Sequence, residues 1–327
     1  MIPPRYRPLA CALLGAALAT LFLLREKFWA PFGQSDFDVI WEAARALRHG
    51  QSPYAVIAAD PAYPDRFPLY YPLPAVLLGL PFSWFPFRAA RLVFTALGGA
   101  VLGGAIGRRR PEIWPVLMSF PFLHAAHNAQ WTPYLAAALL VPAWGFVAVA
   151  KPNLGLAVLA GSRSRRAALL LVAGSAVVTL ASFAARPGWL GEWREALDTA
   201  QHFRPLLFRP GGFLMLLALL RWRDPDARLL LALVLVPQTG LHYDALPAML
   251  VSRTKLQALG LVVASNLGTI AMPLLDRSVG GWAEATWLTG ILLLCTVYLP
   301  ALAIVLSRSE RIVRWLATLG SVSRPIL

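Results

Sequence analysis

The sequence predicts an all-α membrane protein, and three observations lead to that fold class. Of the 327 residues, 58% are hydrophobic and only 14% are charged, well below the roughly 25% of a soluble domain. The mean hydropathy is +0.60. Long apolar runs alternate with short basic clusters along the chain. A chain with so little polar surface cannot cover a water-soluble globule, so we expect it in a lipid bilayer.

The lengths of the apolar runs set the expected number of helices. A full crossing needs about 20 apolar residues, and several runs are shorter. We therefore expect about 9 to 11 transmembrane helices, some of them half-helices or broken helices. No segment is long enough to form a separate soluble domain, so residues 1–327 are predicted to form a single domain. The runs cover approximately residues 9–24, 69–86, 89–107, 113–125, 132–150, 152–161, 167–184, 211–220, 229–237, 241–251, 256–274 and 286–306.

The two ends of the chain's first run indicate that it stays in the membrane. Arg5 and Arg7 precede it, and the stretch LREKFW after it holds no convincing signal-peptide cleavage site. The run is predicted to be an uncleaved transmembrane helix. Cys11 and Cys295 both lie inside apolar runs and give neither a metal-binding spacing nor a disulfide framework.

The net charge of +14 lies in short clusters between apolar runs, which is typical of topology determinants rather than of a nucleic-acid surface. No nucleic-acid partner is expected. The positive-inside rule places the clusters in the cytoplasm and the longest polar stretches, about 25–68 and 185–210, outside. This predicts a multi-pass protein of the plasma membrane. Arg108–Arg110 do not fit, because two crossings within 69–107 would leave them outside.

Residues 35–54, SDFDVIWEAARALRHGQSPY, are too polar to cross a bilayer and predict an amphipathic helix lying at its external surface. Gly50 is expected to end this helix. Either Ser35 or Asp36 would be the N-cap, with Asp38 adding a favourable charge to the first turn. One face of the helix collects Phe37, Ile40, Trp41, Ala44 and Leu47, and the other mainly Asp38, Glu42, Arg45, Arg48 and His49.

Asp36 has a second interpretation besides capping. A carboxylate held at the membrane–water boundary by a rigid helix is placed to accept a proton from a hydroxyl during group transfer. Asp36 and Asp38 are two residues apart, so they cannot both point into one pocket. Only one of them can act as the base.

The stretch DFDVIWEAARALRHGQSPY resembles the pattern D-F-x-V-Y-Y-x-A-A-x-A-L-x-x-G-x-x-P-Y. That pattern opens the first external loop of the polyprenyl-phosphate-mannose-dependent glycosyltransferases of the GT-C superfamily, family GT87. The aromatic and proline-rich stretch FPLYYPLPAVLLGLPFSWFP follows, as in that family. The resemblance is specific over residues 36–86. It implies a GT-C-type helical bundle with an extracytoplasmic active site and places the catalytic aspartate at Asp36, with Asp38 at the variable position.

Three polar breaks inside apolar runs supply further candidates. In HAAHNAQW, His127 and Gln130 resemble a break that contains Gly-Gln in many relatives, although Ala129 stands in place of the glycine. A short polar loop between two helices is the alternative interpretation. These two residues are predicted to support the site.

The second break, AKPNLG, places Lys151 about 18 Å along a helix from Arg163, and so within the bilayer if Arg163 is at its surface. A charge at that depth usually faces a polar cavity. Relatives carry a similar Lys-Pro step, so Lys151 is a candidate ligand for the phosphate of a lipid-linked donor. The alternative is a lysine that snorkels or lies in a loop.

In the third break, VPQTGLHYDALP, Pro237 and Gly240 interrupt the helix just before His242. The resemblance makes His242 a candidate ligand for donor phosphate or sugar. Tyr243 would support it and Asp244 would orient it. A hydrogen-bonded buried histidine is the alternative.

The loop 185–210 is rich in arginine, whose planar fork matches two phosphate oxygens. Arg204 and Arg209 are the preferred donor-phosphate ligands, because they immediately precede the next helix. Surface charge near lipid headgroups is the alternative for each of them.

The resemblance implies a hexosyltransferase that moves a hexose, mannose in that family, from a polyprenyl-phosphate donor to a lipid or glycan acceptor with inversion. No cofactor is required because the donor is already activated, and no metal-ligand cluster is visible, although a carboxylate-bound divalent cation stays open. Three alternatives also stay open: a GT-C enzyme with another donor or acceptor, a flippase or transporter of lipid-linked sugars, and a non-catalytic scaffold.

Overall fold

The computed structural model describes residues 3–26, 28–29, 35–58, 68–200, 204–238, 240–276 and 282–309, in which helices are joined by turns and irregular segments and no strand occurs. Parts of both predicted external loops therefore lie outside the described residues. The α-helices are α1 Arg7–Glu26, α2 Asp36–Arg48, α3 Pro53–Val56, α4 Leu73–Gly79, α5 Phe87–Arg109, α6 Phe120–His127, α7 Thr132–Leu140, α8 Pro152–Ala160, α9 Arg165–Ala185, α10 Trp189–Asp198, α11 Pro225–Leu235, α12 Leu246–Met249, α13 Lys255–Asp276, α14 Trp282–Leu293 and α15 Leu299–Leu306.

Short 3-10 helices and one π-helical turn connect or extend these helices. The 3-10 segments are Pro4–Tyr6, Leu80–Trp84, Pro111–Met118, Pro142–Ala150, Leu206–Phe208, Gly212–Arg221 and His242–Ala245, and the π turn is Leu294–Tyr298. Within the described residues, four segments are long and apolar enough to cross a membrane: Pro4–Arg25, Phe87–Arg109, Arg165–Ala185 and Leu288–Leu306. The larger number of crossings stays a prediction for the shorter segments.

Two prolines divide a long apolar stretch into three short helical segments. Val141 and Lys151 each precede a proline and adopt an extended backbone, with φ of −129° and −135°. The residue before a proline is disfavoured in the α-helical region because the proline ring crowds its backbone. The predicted run 132–150 is therefore divided into α7 and the 3-10 segment 142–150, and Lys151 lies at a turn between this segment and α8.

Helices α1 and α5 pack antiparallel with their backbones in direct contact. Gly99, Gly103 and Gly107 recur at every fourth position of α5 and face α1. Small residues at this spacing allow two membrane helices to approach closely. The nearest α1 backbone atoms belong, in the same order, to Gly15, Cys11 and Arg7. Arg7 and the arginines that end α5 therefore lie at the same end of the molecule, which we call the basic end.

A methyl group at Gly103 is expected to force the two helices apart. Its β-carbon would meet the carbonyl oxygen of Cys11, whereas a β-carbon at Gly104 would lie 3.6 Å from that of Ala12, an ordinary contact. We expect Gly103→Ala to destabilise the protein by about 1 to 3 kcal/mol, the usual cost of overpacking. The thermal unfolding midpoint in detergent measures this effect. Gly104→Ala is the matched control, and an equal loss in both variants would contradict the packing.

The basic end is held together by two nearly buried acids. The Asp226 carboxylate lies 2.6 Å from a nitrogen of Arg163 and 2.7 Å from a nitrogen of Arg308. The Asp224 carboxylate lies 3.1 Å from Arg308. Arg110 donates to the carbonyl oxygen of Leu250 at 2.8 Å. Basic clusters far apart in sequence therefore meet at one end of the molecule.

The opposite end of α5, the site end, holds α2 and the segment 73–84. Trp41 Nε1 donates to the carbonyl oxygen of Phe85 at 3.0 Å, and Arg48 to that of Ser83 at 3.1 Å. Residues 73–84 thus pack on α2 and are shorter than a full span, and α5 leads from this end to the basic end. A crossing by α5 alone would remove the topological conflict that the sequence poses for Arg108–Arg110.

Candidate functional site

The first turn of α2 is fixed by Ser35, which leaves Asp36 without a capping role. Ser35 has an extended backbone and is the N-cap, as one of the two sequence alternatives predicts. Its Oγ donates to Asp38 Oδ1 at 2.8 Å, and its backbone N–H donates to Asp38 Oδ2 at 3.3 Å. The bond from the N-cap backbone to the side chain of the third helical residue is the one that a capping box uses at this end of the helix.

Asp38 is buried and does not lie on a solvent-facing side of α2, so the sequence-based placement of this residue was wrong. Arg91 on α5 donates from Nε to Asp38 Oδ1 at 2.8 Å and from Nη2 to Oδ2. The side chains of Arg91 and Asp38 are 0% and 1% exposed. Helical periodicity could not reveal a buried arginine on another helix that neutralises this acid. Asp38 and Asp36 point to different surroundings, as their spacing predicts.

Asp36 is half-buried at the start of α2 and is held by polar groups from two other segments. Its Oδ2 accepts a hydrogen bond from Tyr71 Oη at 3.2 Å and one from Gln130 Nε2. Its backbone N–H donates to the carbonyl oxygen of Asn128 at 3.2 Å. Within the described residues, Asp36 Oδ1 has no hydrogen-bond partner. One carboxylate oxygen is therefore positioned by the protein, and the other remains available to a ligand.

Lys151 extends this hydrogen-bonded group towards Asp244. Its Nζ donates to Gln130 Oε1 at 3.0 Å and to Asp244 Oδ1 at 2.7 Å, and it lies 4.7 Å from the centre of the Tyr243 ring. The side chain of Lys151 is 13% exposed and that of Asp244 is 2% exposed. The structure thus brings together Asp36, Gln130, Lys151, Tyr243 and Asp244, which the sequence takes from three separate breaks and α2. We call these five residues with Tyr71 the Asp36 network.

Burial and the neighbouring charges act in opposite directions on the Asp36 carboxyl. Burial is the largest effect and raises the pKa of Asp36 above its ordinary value. The ammonium of Lys151 and the hydrogen bonds from Gln130 and Tyr71 lower it, and the Asp244 carboxylate raises it slightly. The net result is a raised pKa, which brings a carboxylate closer to the proton affinity of an effective general base.

Tyr71 is a member of the Asp36 network that residue-by-residue sequence reasoning missed. It lies in the aromatic and proline-rich stretch after α3, and its position is fixed through its neighbour. Tyr70 accepts a hydrogen bond at its carbonyl oxygen from Trp193 Nε1 at 2.9 Å, and its hydroxyl donates to the carbonyl oxygen of Thr199 at 3.4 Å. Helix α10 therefore packs onto the segment that carries Tyr71. The clustered aromatic residues of YYP were the available sequence signal.

The break around Gln130 adopts a conformation that glycine favours. Ala129 has φ of +47°, in the left-handed region that is uncommon for a residue with a β-carbon. This is the position at which many members of the family that the sequence resembles carry glycine. The turn directs Gln130 to Asp36, and Gln130 is 2% exposed. His127, which ends α6, has its ring centre 6.2 Å from those of Phe22 and His124.

His242 is completely buried beside the Asp36 network. Its ring lies 4.8 Å from that of Phe120, and neither of its nitrogens has a hydrogen-bond partner within the described residues. A β-carbon at Gly268 would lie 3.2 Å from His242 Nε2 and 3.1 Å from Thr296 Oγ1. The hydrogen-bonded histidine that sequence allowed as an alternative is therefore not what the described part of the structure contains.

Arg204 and Arg209 form a separate basic patch. Arg204 is exposed and Arg209 is half-buried, and the pKa of Arg209 is lowered first by burial and then by the charge of Arg204. Arg209 Nε is buried and has no hydrogen-bond partner in the described part of the chain. It lies close to α14, 3.6 Å from the position of a β-carbon at Gly290. No described hydrogen bond or ion pair joins these arginines to the Asp36 network.

The described residues thus offer a half-buried carboxylate with one free oxygen, a lysine within two hydrogen bonds of it, and a buried histidine nearby. They contain no group of three or more histidine, cysteine, aspartate or glutamate side chains suited to a metal ion. Comparison of the chain with protein-family models, curated proteins and solved structures finds no match.

Proposed function

We propose that this chain is a membrane glycosyltransferase that moves a hexose from a polyprenyl-phosphate donor to a lipid or glycan acceptor. Mannose is the hexose that we propose first. The reaction takes place at the site end, which faces the extracytoplasmic side of the plasma membrane. The proposal rests on the resemblance of residues 36–86 to family GT87 and on the geometry of the Asp36 network. The bundle would accordingly be of the GT-C type.

The single observation that supports this function most is the environment of Asp36. Capping of α2 and neutralisation of Arg91 both fall to Ser35 and Asp38, so neither of these structural needs explains Asp36. Two side chains nevertheless fix its Oδ2. A half-buried carboxylate that is positioned by the protein but keeps one oxygen free has the arrangement that a general base needs.

In the proposed reaction, Asp36 Oδ1 accepts the proton of an acceptor hydroxyl. The hydroxyl oxygen then forms a bond to the anomeric carbon of the donor, from the face opposite the phosphate, and the bond between that carbon and the phosphate oxygen breaks. The polyprenyl phosphate leaves with the bonding electrons, and the sugar configuration is inverted. No nucleotide takes part, because the phosphate ester already activates the sugar.

Basic and polar groups are proposed to hold the donor. Lys151 lies near the base and would balance the negative charge of the phosphate. Its ammonium would then contact both the phosphate and the Asp244 carboxylate. His242 has two buried nitrogens free to bind donor oxygens. Arg204 and Arg209 would meet the phosphate as the donor enters from the bilayer.

The rate of transfer is expected to fall at low pH with a midpoint above that of an ordinary carboxyl, because Asp36 must be ionised and burial raises its pKa. The double variant Lys151→Met with Asp244→Asn removes both charges. The Lys151 charge lowers the pKa of Asp36 more than the Asp244 charge raises it, so the pKa of Asp36 should rise. The acid limb should therefore move to higher pH. The pH dependence of kcat/KM for sugar transfer measures this shift.

Lys255→Met provides the control for this experiment. It removes an exposed lysine that lies on α13 near Trp114, away from the Asp36 network, and should leave the acid limb unchanged. An acid limb that stays in place in the Lys151 variant, with activity retained, would show that Asp36 is not the group whose ionisation limits the rate.

A second candidate, a flippase or transporter for lipid-linked sugars, is favoured by the position of Lys151. This lysine lies at a turn between two short helical segments and pairs with an acid at another break. Charged groups at interrupted helices are typical of transporter binding sites. Transport does not consume the donor, which distinguishes it from transfer.

A further inference from the structure

The basic end contains a cavity of about 360 Å³ that the proposed reaction does not use. It lies where the end of α5, the end of α7 and the start of α9 meet. Helix α5 is about 34 Å long at 1.5 Å per residue, and Asp38 and Asp36 lie near its other end. The cavity is therefore distinct from the Asp36 network.

Three arginines line this cavity, and none of the described residues that line it is acidic. Arg110 and Arg163 are held in place, Arg110 by the carbonyl oxygen of Leu250 and Arg163 by the Asp226 carboxylate. Arg109 is exposed and has no hydrogen bond or ion pair with any residue in the described ranges. The cavity thus combines two fixed guanidinium groups with one that is free to bind an anion.

The start of α9 adds polar hydrogen atoms to the same cavity. Ser164 is the N-cap and accepts a hydrogen bond from the backbone N–H of Ala167 at 3.1 Å. Other backbone N–H groups in the first turn have no partner within the helix, and the positive end of the helix dipole favours an anion there. This feature supplements the three arginines.

The remaining wall of the cavity is apolar and leads to the outer surface of α9. Leu139 and Leu171 line it. Only 11% of the most apolar window of α9 is buried, and Leu170 and Val172, beside Leu171, are 43% and 50% exposed. A ligand with an acyl chain could therefore lay its headgroup among the arginines and its chain along α9.

We infer that this cavity binds the phosphate headgroup of an anionic phospholipid. Guanidinium groups form charge-assisted, two-pronged hydrogen bonds with phosphate oxygens, and basic pockets between membrane helices suit anionic lipid headgroups. The apolar wall favours a lipid over free phosphate, which would leave that wall uncovered. Binding there would join α5, α7 and α9 at the basic end.

Titration of the purified protein in neutral detergent with short-chain phosphatidylglycerol, phosphatidylcholine and inorganic phosphate tests this inference. The measured quantities are the dissociation constant and the shift of the thermal unfolding midpoint. Phosphatidylglycerol should bind and raise the midpoint. Arg109→Gln should weaken that binding about tenfold, since one charge-assisted hydrogen bond is lost. Because Arg109 has no partner in the described structure, the substitution should not disturb the fold.

Arg108→Gln is the matched control. Arg108 is the exposed neighbour of Arg109 and does not line the cavity. Its substitution removes the same charge as Arg109→Gln. A weakening of less than about twofold in this variant would support a defined site. Equal weakening in both variants would reduce the effect to net charge and overturn the inference. Equal binding of phosphatidylcholine, or inorganic phosphate binding as tightly as the lipid, would overturn it as well.

Discussion

Replacing Asp36 with asparagine is expected to reduce sugar transfer by about 10²- to 10⁴-fold, the usual contribution of a general base. Asparagine keeps the size of the side chain and an oxygen that accepts from Tyr71 and Gln130, so the fold should persist. It cannot accept the proton of the acceptor hydroxyl. The expected loss is therefore in kcat, measured with a purified protein and a labelled polyprenyl-phosphate mannose.

Asp198→Asn is a suitable control for this substitution. Asp198 ends α10, is exposed, and has no ion pair with any residue in the described part of the chain. It should retain wild-type activity and the wild-type unfolding midpoint. Activity in Asp36→Asn within a factor of a few of wild type would remove Asp36 from the chemical step.

Replacing Asp38 with asparagine should have a different effect, which appears in stability rather than in chemistry. The change removes the carboxylate charge that Asp38 presents to the completely buried Arg91. Breaking a buried ion pair by removing one partner typically costs about 3 to 5 kcal/mol. We expect poor recovery of folded protein and a strongly lowered unfolding midpoint in detergent. An asparagine at this position is therefore a poor activity control for Asp36→Asn.

A second substitution on α5 separates the charge effect from a packing effect. Arg91→Met combined with Asp38→Asn removes both charges and keeps an oxygen at residue 38 that can accept from Ser35. This double variant should recover most of the lost stability. Arg88→Met, one turn earlier and exposed, should change the midpoint little. A stable Asp38→Asn variant would contradict the account of the buried pair.

Hydropathy, together with glycine and proline at helix ends, predicted much of the helical layout. The first run, 89–107 and 167–184 form α1, α5 and α9, and Gly50 ends α2 with φ of +72°. These features depend on local composition and on the freedom of glycine, so one sequence contains them. The division of 132–150 at Val141 follows from the same local rule for residues before proline, which the apolar composition of the run obscured.

Long-range contacts could not be predicted in this way. Gln130, Lys151 and Asp244 were each identifiable as polar groups in apolar surroundings, but their convergence on Asp36 depends on how distant segments pack. The same limitation explains the wrong placement of Asp38, whose partner Arg91 lies within an apolar run. The glycine spacing of α5 at residues 99, 103 and 107 indicates a close helix contact. It does not indicate that α1 is the helix in contact.

We propose that the site end transfers a sugar and consumes its donor. The most direct measurement is the fate of a doubly labelled polyprenyl-phosphate mannose in proteoliposomes containing the purified chain and a lipid acceptor extract. We predict that the sugar label appears in a new lipid or glycan product while the polyprenyl label is released as polyprenyl phosphate in equal amount. Movement of both labels together to the other leaflet, with no new product, would contradict the claim and identify transport instead.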